Sequence, residues 1–148
     1  MIKGVQIKNL EIIPRNNGRI FHAFHTIKDP DIDLKEVYFS SIEQNYFRAW
    51  KLHTKMTVNL LVIHGSVKVV MIDKRESSLT YNTCQEIILS QDPFCRLQIP
   101  PKVWFGFQGL SSSENILCNF ADLHHDKNEI KNCKYDEFDY EFKEIKIK

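Results

Sequence analysis

The residues best equipped for chemistry lie together in Arg48-Ala49-Trp50-Lys51-Leu52-His53-Thr54-Lys55. Side chains of a strand alternate between its faces, so Lys51 and His53 share one side with Phe47 and Ala49. Arg48, Trp50 and Leu52 fall on the other side. One face therefore carries an ammonium and an imidazole about 7 Å apart along the strand. Turned into a partly apolar cavity, both groups would lose solvation and repel each other. Both effects lower their pKa values and move each group toward a working base. Turned outward, the same two groups are solvated rim residues. The spacing leaves both arrangements open.

What would position them is a set of short strands. Apolar and β-branched runs recur at 20–25, 35–42, 47–53, 57–63, 66–73, 85–90, 95–99, 103–108 and 115–121. Turn formers separate them: Asn16-Asn17-Gly18, Asp29-Pro30-Asp31, His64-Gly65, Glu76-Ser77-Ser78, Asp92-Pro93 and Pro100-Pro101. Many short strands at near-regular spacing predict an all-β sandwich or barrel. No segment before residue 125 keeps a 3.6-residue apolar period, which argues against central helices. A short helix is expected over 126–133. The alternating tail Phe138-Asp139-Tyr140-Glu141-Phe142 reads as an edge strand or as a strand pairing with a neighbouring subunit. With no linker or repeat, residues 1–148 are expected to form one domain.

Composition narrows the function classes. Twenty basic against nineteen acidic side chains argue against a nucleic-acid partner, which calls for a basic excess. No apolar run reaches the roughly 18 residues of a membrane span. The N-terminal Met1-Ile2-Lys3-Gly4-Val5 lacks a signal-peptide pattern, so a cytoplasmic location is expected. Cys84, Cys95, Cys118 and Cys133 form no C-x-x-C pair and are read as reduced thiols.

The central stretch resembles the first cupin motif, in which two histidines, two residues apart, and a later glutamate bind a metal ahead of a glycine. Here those positions are Lys51, His53, Asn59 and Gly65. Ile99-Pro100-Pro101-Lys102-Val103-Trp104-Phe105-Gly106-Phe107 resembles the second cupin motif, with Phe105 at the histidine position. Lysine, asparagine and phenylalanine do not replace imidazole and carboxylate around a transition metal, so no metal and no other cofactor are expected. Arg48 to His53 is similar to the Arg-Gly-Phe-His-x-His segment of the dTDP-sugar 3,4-ketoisomerases. It is also similar to the Arg-Gly-Leu-His segment of the dTDP-4-dehydrorhamnose 3,5-epimerases. Asn17 to Phe21, Glu36 to Ser40, Asp73 to Ser78, Leu89-Ser90 and the closing Asp122 to Glu129 resemble further family segments, in family order.

That resemblance implies a cupin-type jelly-roll barrel and a metal-free epimerase acting on a nucleotide-linked 4-keto-6-deoxy sugar in deoxysugar or surface-polysaccharide biosynthesis. A 3,4-ketoisomerase of the same substrate class and a catalytically inactive sugar-nucleotide-binding cupin are the alternatives. It also implies a homodimer. In such chemistry a base removes the proton beside the ketone, donors hold the enolate oxygen, and an acid returns the proton. His53 is the favoured base, its unperturbed pKa lying nearest neutrality. Lys51 is placed as enolate stabiliser or as the base itself. Tyr38 is the preferred proton donor, or else a core aromatic with its hydroxyl at the rim. Arg48 leads the candidates for the diphosphate, followed by Lys55 and Arg75. Asn59 joins the substrate-binding set. Trp104 and Phe105 either line the sugar or base pocket or are plain core aromatics. His124-His125 reads as a loop, because adjacent side chains of an extended segment point apart.

Overall fold

The computed structural model describes residues 1–143. Its strands are β1 (Gln6–Asn9), β2 (Ile12–Arg15), β3 (Gly18–Phe21), β4 (Glu36–Ile42), β5 (Phe47–His53), β6 (Val58–His64), β7 (Ser66–Ile72), β8 (Cys84–Ser90), β9 (Cys95–Ile99), β10 (Trp104–Gly109), β11 (Asn115–Ala121) and β12 (Ile130–Asn132). They form two five-stranded sheets, ordered β1-β9-β6-β11-β4 and β12-β5-β10-β7-β8, and a β2-β3 hairpin. This is the expected all-β cupin-type barrel.

Period-two patterning builds its core. Val58, Leu60 and Val62 of β6 meet Val67, Val69 and Met71 of β7, with Leu97, Ile99 and Leu117 beside them, all buried between the sheets. The alternate residues need cover of their own. Leu61, Phe94, Cys118 and Phe120 on the outside of the first sheet pack under Ile12, Phe21, Phe24 and Leu34. Trp50, Val70 and Ile72 on the outside of the second pack under Phe138, Tyr140 and Phe142.

Four expectations change here. The 20–25 run is a strand only as Gly18–Phe21, paired with Ile12–Arg15. β1, β2 and β12 escape the sequence reading because strands of three or four residues are too short to show a period-two pattern. The expected helix over 126–133 is a single 3-10 turn, Lys127–Glu129, capped by the Asp126 side chain and followed at once by β12. Edge pairing explains this: Ile130, Lys131 and Asn132 lie opposite His53, Leu52 and Lys51. The tail is not a strand. Tyr140 N donates to Phe138 O at 2.8 Å, a tight turn. The tail's alternation serves to lay three rings on Trp50, with centroids 5.3, 5.9 and 5.4 Å away. All four cysteines are free, with Cys95 and Cys118 buried.

Candidate active site

β5 does not run evenly beside β10. Lys51 lies opposite Phe105 and Arg48 opposite Phe107, so two residues of β5 span what a single residue spans on β10. That extra residue is a β-bulge, and it inverts the alternation. Arg48, expected on the face opposite Lys51, joins it on the inner face, and both line one cavity. The bulge presses on its neighbour: a Cβ on Gly106 would stand 2.6 Å from Ala49 Cβ and 3.0 Å from Arg48 O. Only glycine fits there without displacement.

The cavity holds about 440 Å³, the size of a small-molecule site. One wall consists of Arg48, Lys51, Phe105 and Phe107, continued by Asn132 and Cys133. The facing wall carries Tyr38 and Ser40 of β4, Val58 and Leu60 of β6, and Leu117 and Asn119 of β11. Among the described residues no Asp or Glu lines it. Two basic side chains with no carboxylate on the cavity wall suit an anionic guest. Burial holds the Lys51 ammonium below the ordinary lysine range, with Glu129 acting the other way.

His53 lies deeper. It is 3% exposed and is not among the cavity-lining residues, and its ring stacks on Phe105 at 6.0 Å. Its Nδ1 meets the Glu129 carboxylate. Burial lowers the His53 pKa, the Glu129 contact raises it, and the balance is below the ordinary histidine value. The other carboxylate oxygen of Glu129 accepts from the backbone N–H groups of Thr54, Lys55 and Met56 at 3.1, 3.2 and 3.4 Å. Burial pushes the Glu129 pKa up, while His53 and these N–H groups pull it down and prevail. Sequence reasoning missed Glu129. Its only trace was membership of the closing segment, and nothing local ties it to a histidine 76 residues away.

Tyr38 lines the facing wall, and its hydroxyl accepts a hydrogen bond from Asn119 Nδ2 at 2.9 Å. Burial raises the phenol above its ordinary pKa. Asn119 was also missed, although it lies directly opposite Tyr38 in the β4–β11 ladder.

The remaining candidates lie elsewhere. Asn59 is buried and does not line the cavity; its amide donates to Thr57 O and Phe120 O, and its Oδ1 has no partner. Trp104 is on the outer face, 5.6 Å from Phe138, whereas Phe105 faces in. Strand alternation requires that the two differ. Arg75 forks onto Asp73 at 2.8 Å through both Nε and Nη2, reaches Lys3 O at 2.7 Å, and braces the β7–β8 turn. Lys55 is exposed outside the cavity. His124 and His125 both meet Glu36, one through Nδ1 at 3.8 Å and the other through its backbone N–H. Among the described residues no three His, Cys, Asp or Glu side chains gather as metal ligands.

Barrel and cavity together define a cupin whose wall groups are a lysine, an arginine, a phenol and amides. The model of the dTDP-4-dehydrorhamnose 3,5-epimerase family matches residues 2–144, and the chain belongs to that family. It is an enzyme of the sugar-nucleotide epimerase and isomerase class. The chain is similar to the dTDP sugar isomerase of Desulfovibrio desulfuricans G20, at 30% identity and a TM-score of 0.88, over 92% of this chain and 87% of the other. The 3,5-epimerase of Legionella pneumophila Philadelphia 1, solved with dTDP-4-keto-L-rhamnose, shares the fold at 18% identity and a TM-score of 0.83, over 95% and 80% of the two chains. The epimerase of Bacillus anthracis strain Ames, solved with TDP and pyrophosphate, does so at 16% identity and 0.79, over 90% and 80%. No curated protein sequence matches the chain.

Proposed function

We propose that the protein epimerises a nucleotide-linked 4-keto-6-deoxy sugar at carbon beside the ketone. The observation that carries this reading is the placement of Lys51 and Tyr38 on facing sheets of one cavity. An epimerase must take a proton from one face of a carbon and return one to the other, and a base and an acid on opposite walls suit that task. Lys51 takes the proton. The C–H electron pair becomes the enolate double bond, and the ketone oxygen takes the negative charge. Tyr38 then donates its phenolic proton to the opposite face of the carbon, where the enolate electrons form the new C–H bond and the ketone is restored. Solvent reprotonates Tyr38 and takes the proton held by Lys51.

Lys51 is preferred over His53 as base because it stands on the cavity wall, and burial favours the neutral amine that the step needs. His53 and Glu129 form the buried pair behind it. Arg48 is the cation for the diphosphate, and Phe105 and Phe107 offer an apolar surface to the sugar. Ligands of this kind in the related structures support the substrate class.

The test is incubation with dTDP-4-keto-6-deoxyglucose in deuterium oxide, followed by NMR. Deuterium at C3 or C5 with inverted configuration is the expected result. A 3-keto product would instead assign the ketoisomerase reaction. Tight binding without exchange would leave a binding protein and overturn the proposal.

A further inference from the structure

The facing wall contains a hydrogen-bond chain whose direction is fixed. Asn59 N–H donates to Asn119 Oδ1 at 2.9 Å. A backbone N–H can only donate, so this partner settles which end of the Asn119 amide is oxygen. The other end, Nδ2, therefore donates to Tyr38 Oη at 2.9 Å. Asn59 secures the arrangement in return, its own Nδ2 donating to Phe120 O at 3.2 Å across the same pair of strands. Where the β6–β11 ladder reaches its end, side-chain amides thus take over from backbone pairing.

The consequence falls on the phenol. A hydroxyl has one hydrogen and two lone pairs. Tyr38 Oη spends a lone pair on Asn119, so its hydrogen cannot point along that direction. No other hydrogen bond joins Tyr38 Oη to the described residues. Tyr38 lines the cavity and is 38% exposed, so the hydrogen is left to the open, cavity side of the hydroxyl.

We infer that Asn119 is the positioning residue of the proton-returning step, holding the Tyr38 hydroxyl as an acceptor on the protein side so that its hydrogen is presented to the substrate. The inference rests on the proposed epimerisation, in which Tyr38 is the acid. Asn119 also favours the phenolate left after donation, since its N–H lowers the phenol pKa against the upward push of burial and of Glu36, Glu129 and Cys118. Across the cavity the groups that face Tyr38 are Arg48 and Lys51.

Asn119→Asp tests this with almost no change of shape. One carboxylate oxygen still accepts from Asn59 N–H. The other now accepts where an N–H donated, and draws the phenolic hydrogen away from the cavity. Two readouts are taken. The first is the titration of Tyr38 in protein carrying tyrosine labelled at the ring carbon that bears oxygen, assigned by its loss in Tyr38→Phe. It should move upward in Asn119→Asp, and upward also in Asn119→Leu, which offers neither donor nor acceptor and serves if the first variant does not fold. An unmoved titration overturns the inference whether or not a substrate is in hand.

The second readout compares two rates on dTDP-4-keto-6-deoxyglucose. Inverted product should form about 10²-fold more slowly in Asn119→Asp, the scale of a lost general acid. Deuterium wash-in beside the ketone needs only the base and should fall by much less than the inverted product does. If both rates fall together, or neither falls, Asn119 does not serve the acid. If wild-type protein washes in no deuterium at all, the proposed reaction fails, and the tyrosine titration alone decides the hydrogen-bond direction.

Discussion

The cavity's two walls are built from the same kind of antiparallel sheet, yet they reach their working arrangement differently. On the β4–β11 side the ladder runs in unbroken register from Asn115↔Ile42 to Ala121↔Glu36, and plain alternation turns Tyr38, Ser40, Leu117 and Asn119 inward. On the β5–β10 side alternation would send Arg48 and Lys51 to opposite faces, and a bulge brings them to the same one. The regular wall is a phenol, a hydroxyl and an amide. The irregular wall carries both basic side chains, with a buried imidazole–carboxylate pair behind. Regular pleating suffices to present neutral donors in a row. Gathering two basic side chains about one guest takes a departure from it, and the bulge with Gly106 opposite supplies that departure.

The largest effect should follow from removing the basic group of the irregular wall. Lys51→Met keeps the length of the side chain without its amine and should slow deuterium wash-in by about 10²- to 10⁴-fold. Tyr38→Phe should spare wash-in and depress inverted product instead. The comparison breaks if His53→Asn abolishes wash-in while Lys51→Met retains it, since the base would then stand behind the wall. The pH profile carries a sign as well. Burial lowers the Lys51 pKa, and the base form exists above that value, so the rate should rise with pH and fall away as pH drops through it. On the alkaline side the rate should decline only above the ordinary tyrosine range, because burial raises the Tyr38 phenol and the acid must keep its proton.

Much of this contrast was legible in the sequence, and unequally so. The regular wall could be read: 35–42 and 115–121 were recognised as strands, and period two then decides what shares a face. The same rule put Lys51 and His53 on one face, but it left open whether that face turns inward or to solvent. It misplaced Arg48, because a bulge is a register shift between two strands, and one strand's sequence carries no sign of it. Glu129 was hidden for a related reason: its partners are backbone N–H groups and a ring brought to it by the fold. Asn59 stood at a metal-ligand position of other cupins, and the structure gives it to the joint between β6 and β11 instead. The aromatic tail showed its alternation plainly. Periodicity cannot say whether alternating side chains face a paired strand or a tryptophan, and here Trp50 takes them.

The pair behind the irregular wall offers a smaller effect, read in stability. Glu129→Gln replaces a charge-assisted contact by a neutral one and should cost about 1–3 kcal/mol. For a chain of this size that is a Tm lower by about 2–4 °C per kcal/mol. His53 has a folded-state pKa below its unfolded value of about 6.5, so its contribution is complete above that pH and is lost as pH falls through the folded value. Glu129 is also depressed, so its contribution is complete above about 4.3 and is lost as pH falls further. Both make the fold acid-sensitive. Without Glu129 to favour the imidazolium, the His53 penalty deepens, so the Tm gap between Glu129→Gln and wild type should widen from pH 7 to pH 5. A gap that stays constant would mean that the carboxylate serves only the three N–H groups of Thr54, Lys55 and Met56.

The smallest effect belongs to Arg48, and it separates the two cations of the irregular wall. Arg48 is exposed, where Lys51 is half-buried, so it sits nearer the solvent side, where a diphosphate would lie. Arg48→Ala should raise KM for the sugar nucleotide about tenfold, equivalent to about 1.4 kcal/mol, while kcat stays within about twofold. Interactions made equally in ground and transition states act on KM alone, and a phosphate contact remote from the reacting carbon is of that kind. Added salt should weaken wild-type binding more than that of the variant, because the variant has lost a cation–phosphate contact that salt screens. A fall in kcat comparable to that of Lys51→Met would place the guanidinium at the enolate rather than at the diphosphate. The bulge would then gather both cations for the chemical step, and binding would have to depend on other residues.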